Sequence, residues 1–260
     1  MRSFVALLLF ALCQSLHAQS AVTRLFEAID EGKPLVAEGI LAREKVDVNA
    51  INKERETPLH RAVEKGMKEL VELLLKKGAR AGMRSATGET PLHLAALHPE
   101  PVFADLLLAA GADPKVRNDH GESALHWAAL SGNPLTLQRL LARGADANAR
   151  DQKGNLALHG AADGGHDGVA KLLLARTNEP RAKNAGGQTP GDIARERGFG
   201  DLAKLLDGAP AVVQSKQSQP AQLVGAPAQP ASAPPEPAKP SQPFNTMNMD
   251  DPNHPRFQKQ

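Results

Sequence analysis

Apolar positions recur along most of this chain with a long period. Leu74, Leu107, Leu140, Leu173 and Leu206 stand 33 residues apart, and Leu75, Leu108, Leu141 and Leu174 run beside them. Each pair lies in a short run that reads as a buried helix, and Gly78, Gly111 and Gly144 end that run where a left-handed cap is expected. A second, shorter helix precedes each one. Thr57, Thr90, Ser123 and Thr189 suit its N-cap, and Pro58, Pro91 and Pro190 follow where a missing N–H costs nothing. Gly66, Gly132 and Gly165 separate the two helices of a pair. Between one pair and the next, Asn52, Ser85, Asn118, Asp151 and Asn184 recur as turn formers. Gly88, Gly121, Gly154 and Gly187 follow three residues later, where positive φ is expected. Arg55 stands in that place in the first full unit and predicts about 1 kcal/mol of strain or a reshaped tip.

A repeat of this length means a stacked, quasi-one-dimensional fold whose units contact only their neighbours. The core Thr90-Pro91-Leu92-His93-Leu94-Ala95, with its copies at Thr57, Ser123, Leu156 and Thr189, resembles the ankyrin repeat. The resemblance covers about Thr23 to Leu206. It implies an all-α solenoid of helix pairs with projecting β-hairpin fingers, and binding to another protein. The domain divides into an N-terminal cap over 21–52, repeats starting near 53, 86, 119 and 152, and a C-terminal cap over 185–208. The N-terminal unit lacks the Thr-Pro start and carries one extra residue between Ile40 and Asp47, as suits a terminal cap facing water.

The fourth full copy departs most from the pattern. Leu156 and Ala157 replace the capping residue and proline, Gly160, Gly164 and Gly165 crowd the first helix, and Thr177 replaces the terminating glycine. Interior glycines cost about 1 kcal/mol each relative to alanine, so residues 156–180 are expected to be the soft point, opening first to hydrogen exchange.

Composition narrows the setting. Aromatic residues make up 3% of the chain with no tyrosine, which suits a solenoid of leucine and alanine better than a sandwich. The first twenty residues differ from the rest: Arg2, then the uncharged run Phe4 to Leu12, then small residues at Ala18, Ser20 and Ala21. They read as a secretory signal peptide, too short to span a membrane as a helix, cleaved after Ala18 or Ser20. The residue before Cys13 is Leu12, a poor match to a lipoprotein cleavage box. Cys13 is the only cysteine and leaves with that segment, so the mature chain has no disulfide, thiolate metal site or cysteine nucleophile. The short leader and the Ala/Gln/Pro-rich tail have a bacterial character. The expected compartment is the periplasm, with secretion outside the cell as the alternative. Without the leader, 30 basic residues face 29 acidic ones, which argues against nucleic-acid binding by bulk charge. No stable membrane insertion is expected once the leader is cleaved, and a monomer is expected.

After Gly208 the composition changes again. Residues 209–243 are dominated by Pro, Ala, Gln and Ser and predict a disordered linker; Pro234, Pro237, Pro240 and Pro243 fall on one edge of a polyproline II helix. Residues 244–260 bring back Phe244, Met247, Met249 and Phe257, as a solvated terminus or a short tethered binding motif.

Candidate chemistry is sparse. His60, His93, His126 and His159 form a ladder, but packed helices place neighbouring rungs about 10 Å apart, too far to share an ion. The resemblance assigns these histidines hydrogen bonds to backbone that tie adjacent repeats together. No Gly-x-Ser-x-Gly, phosphate loop or His-Glu-x-x-His occurs, so neither catalytic residues, metal ligands nor a cofactor are expected. Two charge ladders flank the fingers: Arg84, Arg117, Arg150 and Lys183, and Glu56, Glu89 and Glu122. They are expected to pair across each hairpin, Arg84 with Glu89 and Arg117 with Glu122, or to form a striped docking surface. A partner protein would be read on the concave side formed by fingers and first helices. The residues placed there are Leu94, Leu97, His98, Trp127, Leu130, Ser131 and Arg61 from the helices, and Glu89, Asp119, His120, Glu122, Gln152 and Lys153 from the fingers. Trp127 is the expected anchor. The expected role is an exported, non-enzymatic scaffold; an accessory factor that stabilises or inhibits a periplasmic enzyme, or a secreted effector, is the alternative.

Overall fold

The leucine spine sits where the period places it. In the computed structural model, which describes residues 21–210, Leu74, Leu107, Leu140, Leu173 and Leu206 are all buried and belong to one continuous apolar core. The chain winds through helix pairs: α1 (21–30) with α2 (Pro34–Arg43), α3 (Pro58–Glu64) with α4 (Lys68–Lys76), and α5 (Pro91–Ala95) with α6 (Val102–Ala109). Then come α7 (Ala124–Leu130) with α8 (Pro134–Ala142), α9 (Ala157–Asp163) with α10 (Asp167–Leu174), and α11 (Pro190–Glu196) with α12 (Gly200–Asp207). First helices pack on first helices, from α3 on α5 through α7 on α9 to α9 on α11, and second helices stack likewise from α2 on α4 to α8 on α10. Each helix is too short to be stable alone in water, so stacking supplies the stability. Leader residues 1–20 and the expected linker and tail beyond 210 lie outside the described residues. Among the described residues no helix is long and apolar enough to cross a membrane.

The fingers are tight turns closed by backbone hydrogen bonds. Ser85 N–H donates to Glu89 O at 2.8 Å and Gly88 N–H to Ser85 O at 3.1 Å, and the same pair of bonds recurs in every finger. One antiparallel bridge, Arg117 with Ser123, carries the hairpin character into formal β pairing. Successive fingers are laced together: Ala86 N–H donates to Glu54 O, Asp119 N–H to Thr87 O, Gln152 N–H to His120 O and Ala185 N–H to Lys153 O. The turn demands positive φ at its third step, met by Gly88, Gly121, Gly154 and Gly187, and by Arg55 at 59°. Arg55 is exposed, and a left-handed backbone costs a side-chain-bearing residue about 1 kcal/mol or more. Arg55→Gly is therefore expected to raise the urea midpoint by an amount corresponding to about 1 kcal/mol. An unchanged midpoint would show that the finger relaxes around the arginine.

Three of the four rungs of the histidine ladder do what the resemblance implied, and His159 does not complete its bond. His60, His93 and His126 are buried, and each ring faces two ways. Nδ1 of His93 accepts the Thr90 backbone N–H at 3.1 Å, so the proton must sit on Nε2, which donates to Glu122 O of the next finger at 3.1 Å. His60 does the same with Thr57 and Glu89, and His126 with Ser123 and Asn155. Burial disfavours the charged ring and pushes His60 and His93 down from the ordinary 6.5 to about 4. In the last repeat a carboxylate takes over. Asp192 accepts from both the backbone N–H and the hydroxyl of Thr189, and these bonds, with Arg195 beside it, hold it down at about 2.

The fourth repeat shows why its sequence departs. Leu156 offers no side-chain cap; only its backbone N–H reaches His159 Nδ1, at 3.0 Å. His159 Nε2 is buried and has no hydrogen-bond partner. Two features offset this. The Leu156 side chain is itself fully buried in the core. Thr177, standing where glycine was expected, is buried and donates its hydroxyl to Asn148 Oδ1 at 3.0 Å. The unpaired histidine, Gly160 inside α9 and Gly164 and Gly165 just after it still make this repeat the weakest in bonding. Amides of 156–174 are expected to exchange ahead of those of 90–109; equal protection would overturn this.

The charged ladders do not pair across their own hairpins. Arg84 reaches forward to Asp119 of the next finger at 3.2 Å. Arg117 donates to Gly121 O and to Arg150 O, and Arg150 to Gly154 O, Lys183 O and Glu179. Arg117 and Arg150 thus close their own turns through carbonyls and also reach the next finger, whereas neither Arg84 nor Arg117 pairs with the glutamate of its own hairpin.

Candidate protein-interaction face

Two registers of the first helices reach the surface beside the core. One runs Arg61, Leu94, Trp127, Gly160 and Ile193; the other runs Glu64, Leu97, Leu130, Asp163 and Glu196. The short first helices pack on their neighbours through Leu92, Leu125 and Leu158 with the alanines beside them, leaving these two positions per helix at the surface. Chemistry along both registers changes from charged to apolar and back. At the N-terminal end, Arg61 is tied into a cluster with Asp30, Glu64 and Glu56. In the middle, Leu97 and Leu130 are each 51% exposed, with Leu94 and Trp127 half-buried beside them. At the C-terminal end, Asp163 pairs with Arg197 at 2.6 Å.

Trp127 is held rather than loose. Its indole N–H donates to Glu122 Oε2 at 2.9 Å, and its ring meets His93 edge-on, with centroids 5.6 Å apart. Ser131 donates its hydroxyl to Trp127 O at 2.8 Å. An aromatic ring with fixed rotamer and one open side is what a binding anchor needs.

The finger residues are unequally available. Glu122 accepts from Asn118 Nδ2 as well as from Trp127, and Asp119 is engaged by Arg84. Gln152 donates to Asp119 O. Glu89 makes no ion pair among the described residues, and burial, with Glu56 and Glu122 nearby, raises its carboxyl above the ordinary range. His120 and Lys153 are exposed. His98 serves the stack: its Nε2 bonds to Val63 O and its ring lies against Phe103, centroids 4.6 Å apart. Asn133 and His166 form similar staples, to Ala96 O and Leu130 O. Sequence reading missed these staples, although Asn133 and His166 stand one repeat apart, each just before a second helix.

Sequence reading also missed a groove. Gly160 stands in the register between Trp127 and Ile193, and where its neighbours carry large side chains it carries none. The space left is a half-open groove of about 280 Å³ between Trp127, Leu130 and Ile193, edged by Glu122, Asp151 and Asp163. The signal was present in the first-helix register, in which Gly160 is the one residue without a side chain.

Comparison with known proteins fits this architecture. A family model described as ankyrin repeats (3 copies) matches residues 25–118, 96–184 and 125–214. The chain belongs to the ankyrin-repeat family. Ankyrin repeats generally mediate protein–protein interactions. Comparison with curated proteins found no match. Among the described residues of this ankyrin chain, no group of three or more His, Cys, Asp or Glu is placed to hold a metal ion.

Proposed function

We infer that this ankyrin-repeat chain is an exported, non-enzymatic scaffold that holds a partner protein on the face built by its first helices and fingers. The observation that carries this reading is the apolar patch on two adjacent repeats. Leu97 and Leu130 stay half-exposed where a monomer would place polar residues, and they flank a Trp127 already held by its own hydrogen bond. Charged clusters at both ends of the patch, Arg61 with Asp30 and Glu64 and Asp163 with Arg197, give it a polar rim. The leader-like first twenty residues support export, with the periplasm as the working compartment.

The test is capture from a periplasmic extract with the full mature chain and with a Leu94→Ala, Trp127→Ala double variant. Truncating an interface anchor typically costs about 2 kcal/mol or more. The double variant, still folded by circular dichroism, is expected to lose the partner at least tenfold. Capture unaffected by both substitutions would place the binding surface elsewhere.

A further inference from the structure

The groove at Gly160 has a chemistry that names its occupant more narrowly than "a protein". Its volume, about 280 Å³, is at the lower edge of what small-molecule sites enclose, and suits one long side chain. One wall is apolar: Trp127, Leu130 and Ile193. The lining also holds three carboxylates, Glu122, Asp151 and Asp163, against a single Lys153. Hydrogen bonds do not remove these charges. Glu122 accepts from the Trp127 indole and Asn118 amide but meets no cation among the described residues. Asp151 accepts from two backbone N–H groups and the Asn155 amide, again without a cation. Asp163 does hold one, Arg197, but both side chains are more than a third exposed, and such a pair contributes only about 0–1 kcal/mol. The negative strip continues past the groove to Glu89, whose carboxyl is raised first by burial and then by the nearby Glu56 and Glu122.

An uncompensated acidic edge beside an indole wall fits a cation on an apolar stem. We propose that this groove seats one basic side chain, arginine above lysine, presented by an extended segment of the partner protein. The stem lies along Leu130 and Ile193, the planar guanidinium stacks on the Trp127 ring, and its N–H donors reach the carboxylates of the rim. Arginine is preferred because its weakly hydrated planar head both stacks and pairs, whereas an ammonium does only the second. Gly160 is then a specificity residue, since any long side chain in its place would occupy the space. The proposal rests on the reading that the first-helix and finger face binds protein.

Trp127 is the only tryptophan, so its indole resonance reports on the groove alone. The full chain, labelled with ¹⁵N, is titrated with heptapeptide pools that are random except for a fixed central Arg, Lys, Met, Leu or Glu. The Arg pool is expected to shift the indole signal at the lowest concentration, the Lys pool next, and the Met, Leu and Glu pools at least fivefold later. Gly160→Leu and Asp163→Asn are each expected to weaken the Arg pool tenfold, and higher salt to weaken it further. A Cβ at Gly160 meets its nearest neighbours at an ordinary 3.5 Å, so Gly160→Ala serves as a folded variant that should keep most of the affinity. Met or Leu pools equal to Arg, or no response to any pool, would overturn the proposal. If periplasmic capture is lost with Leu94→Ala, Trp127→Ala yet survives Gly160→Leu, the groove fails and the face stands. If capture survives all of these variants, both fail.

Discussion

Lowering the pH from 7.5 to 5 is expected to remove about 4 kcal/mol of folding stability from this chain, before most carboxylates titrate. The cause is the histidine ladder. His60 and His93 are held neutral by burial, down from 6.5 to about 4, so the folded chain refuses protons that the unfolded chain accepts. Stability is undiminished above 6.5 and falls as the pH passes from there to 4, where the loss levels off at about 3 kcal/mol for each ring. At pH 5 roughly 2 kcal/mol per ring is already gone. His126 and His159 are lowered by burial as well and add to the same trend. Asp192 works in a different window: its stabilising bonds persist until the pH falls below 3.8 toward about 2. Against a typical total of about 5–15 kcal/mol, the loss at pH 5 is large. Urea unfolding at the two pH values measures it, and equal midpoints would refute it. The added proton would land on Nδ1, which accepts the N-cap N–H of its own repeat, so an acidified compartment would open the start of each first helix while Nε2 of His60, His93 and His126 could still donate to the next finger.

Regular period made the scaffold legible. The leucine spine, the capping hydroxyls, the finger glycines and the histidine ladder all follow from one 33-residue step, because each repeat poses the same packing problem and solves it with the same residue types. Arg55 was legible for a related reason: a turn that needs positive φ four times needs it a fifth. What escaped was whatever depends on the distance between repeats rather than on order within one. Arg84 has Glu89 five residues ahead in sequence, yet its guanidinium reaches Asp119 on the next finger. His98 had the look of a free surface histidine, but the turn before α6 brings its ring to Val63 O of the preceding repeat. Gly160 read as a defect in a short helix. Only with Trp127 and Ile193 placed on either side does the missing side chain become a groove.

Replacing His93 with alanine is expected to cost about 4 kcal/mol at neutral pH, and replacing His159 only about 2. The two residues hold the same place two copies apart, so the difference isolates their bonding. Removing His93 strands the Thr90 backbone N–H and the Glu122 carbonyl, each worth about 1–3 kcal/mol when left unpaired in a buried setting. It also removes the edge contact with Trp127, about 0.5–1.5 kcal/mol. Removing His159 strands the Leu156 N–H and otherwise gives up only contacts of the ring with the Gln188 and Ala182 backbone that are too poor in geometry to count as hydrogen bonds. Better helix propensity of alanine refunds about 0.5 kcal/mol in both cases. Acid sharpens the distinction. At pH 5 the wild-type chain already carries the roughly 2 kcal/mol penalty of keeping His93 neutral, and His93→Ala is free of it. The cost of His93→Ala should therefore fall to about half on going from pH 7.5 to 5. Equal costs for the two variants at neutral pH would mean that the His93 bond to the next finger contributes nothing. A His93→Ala cost that does not change with pH would mean that the ring is not held neutral by its burial.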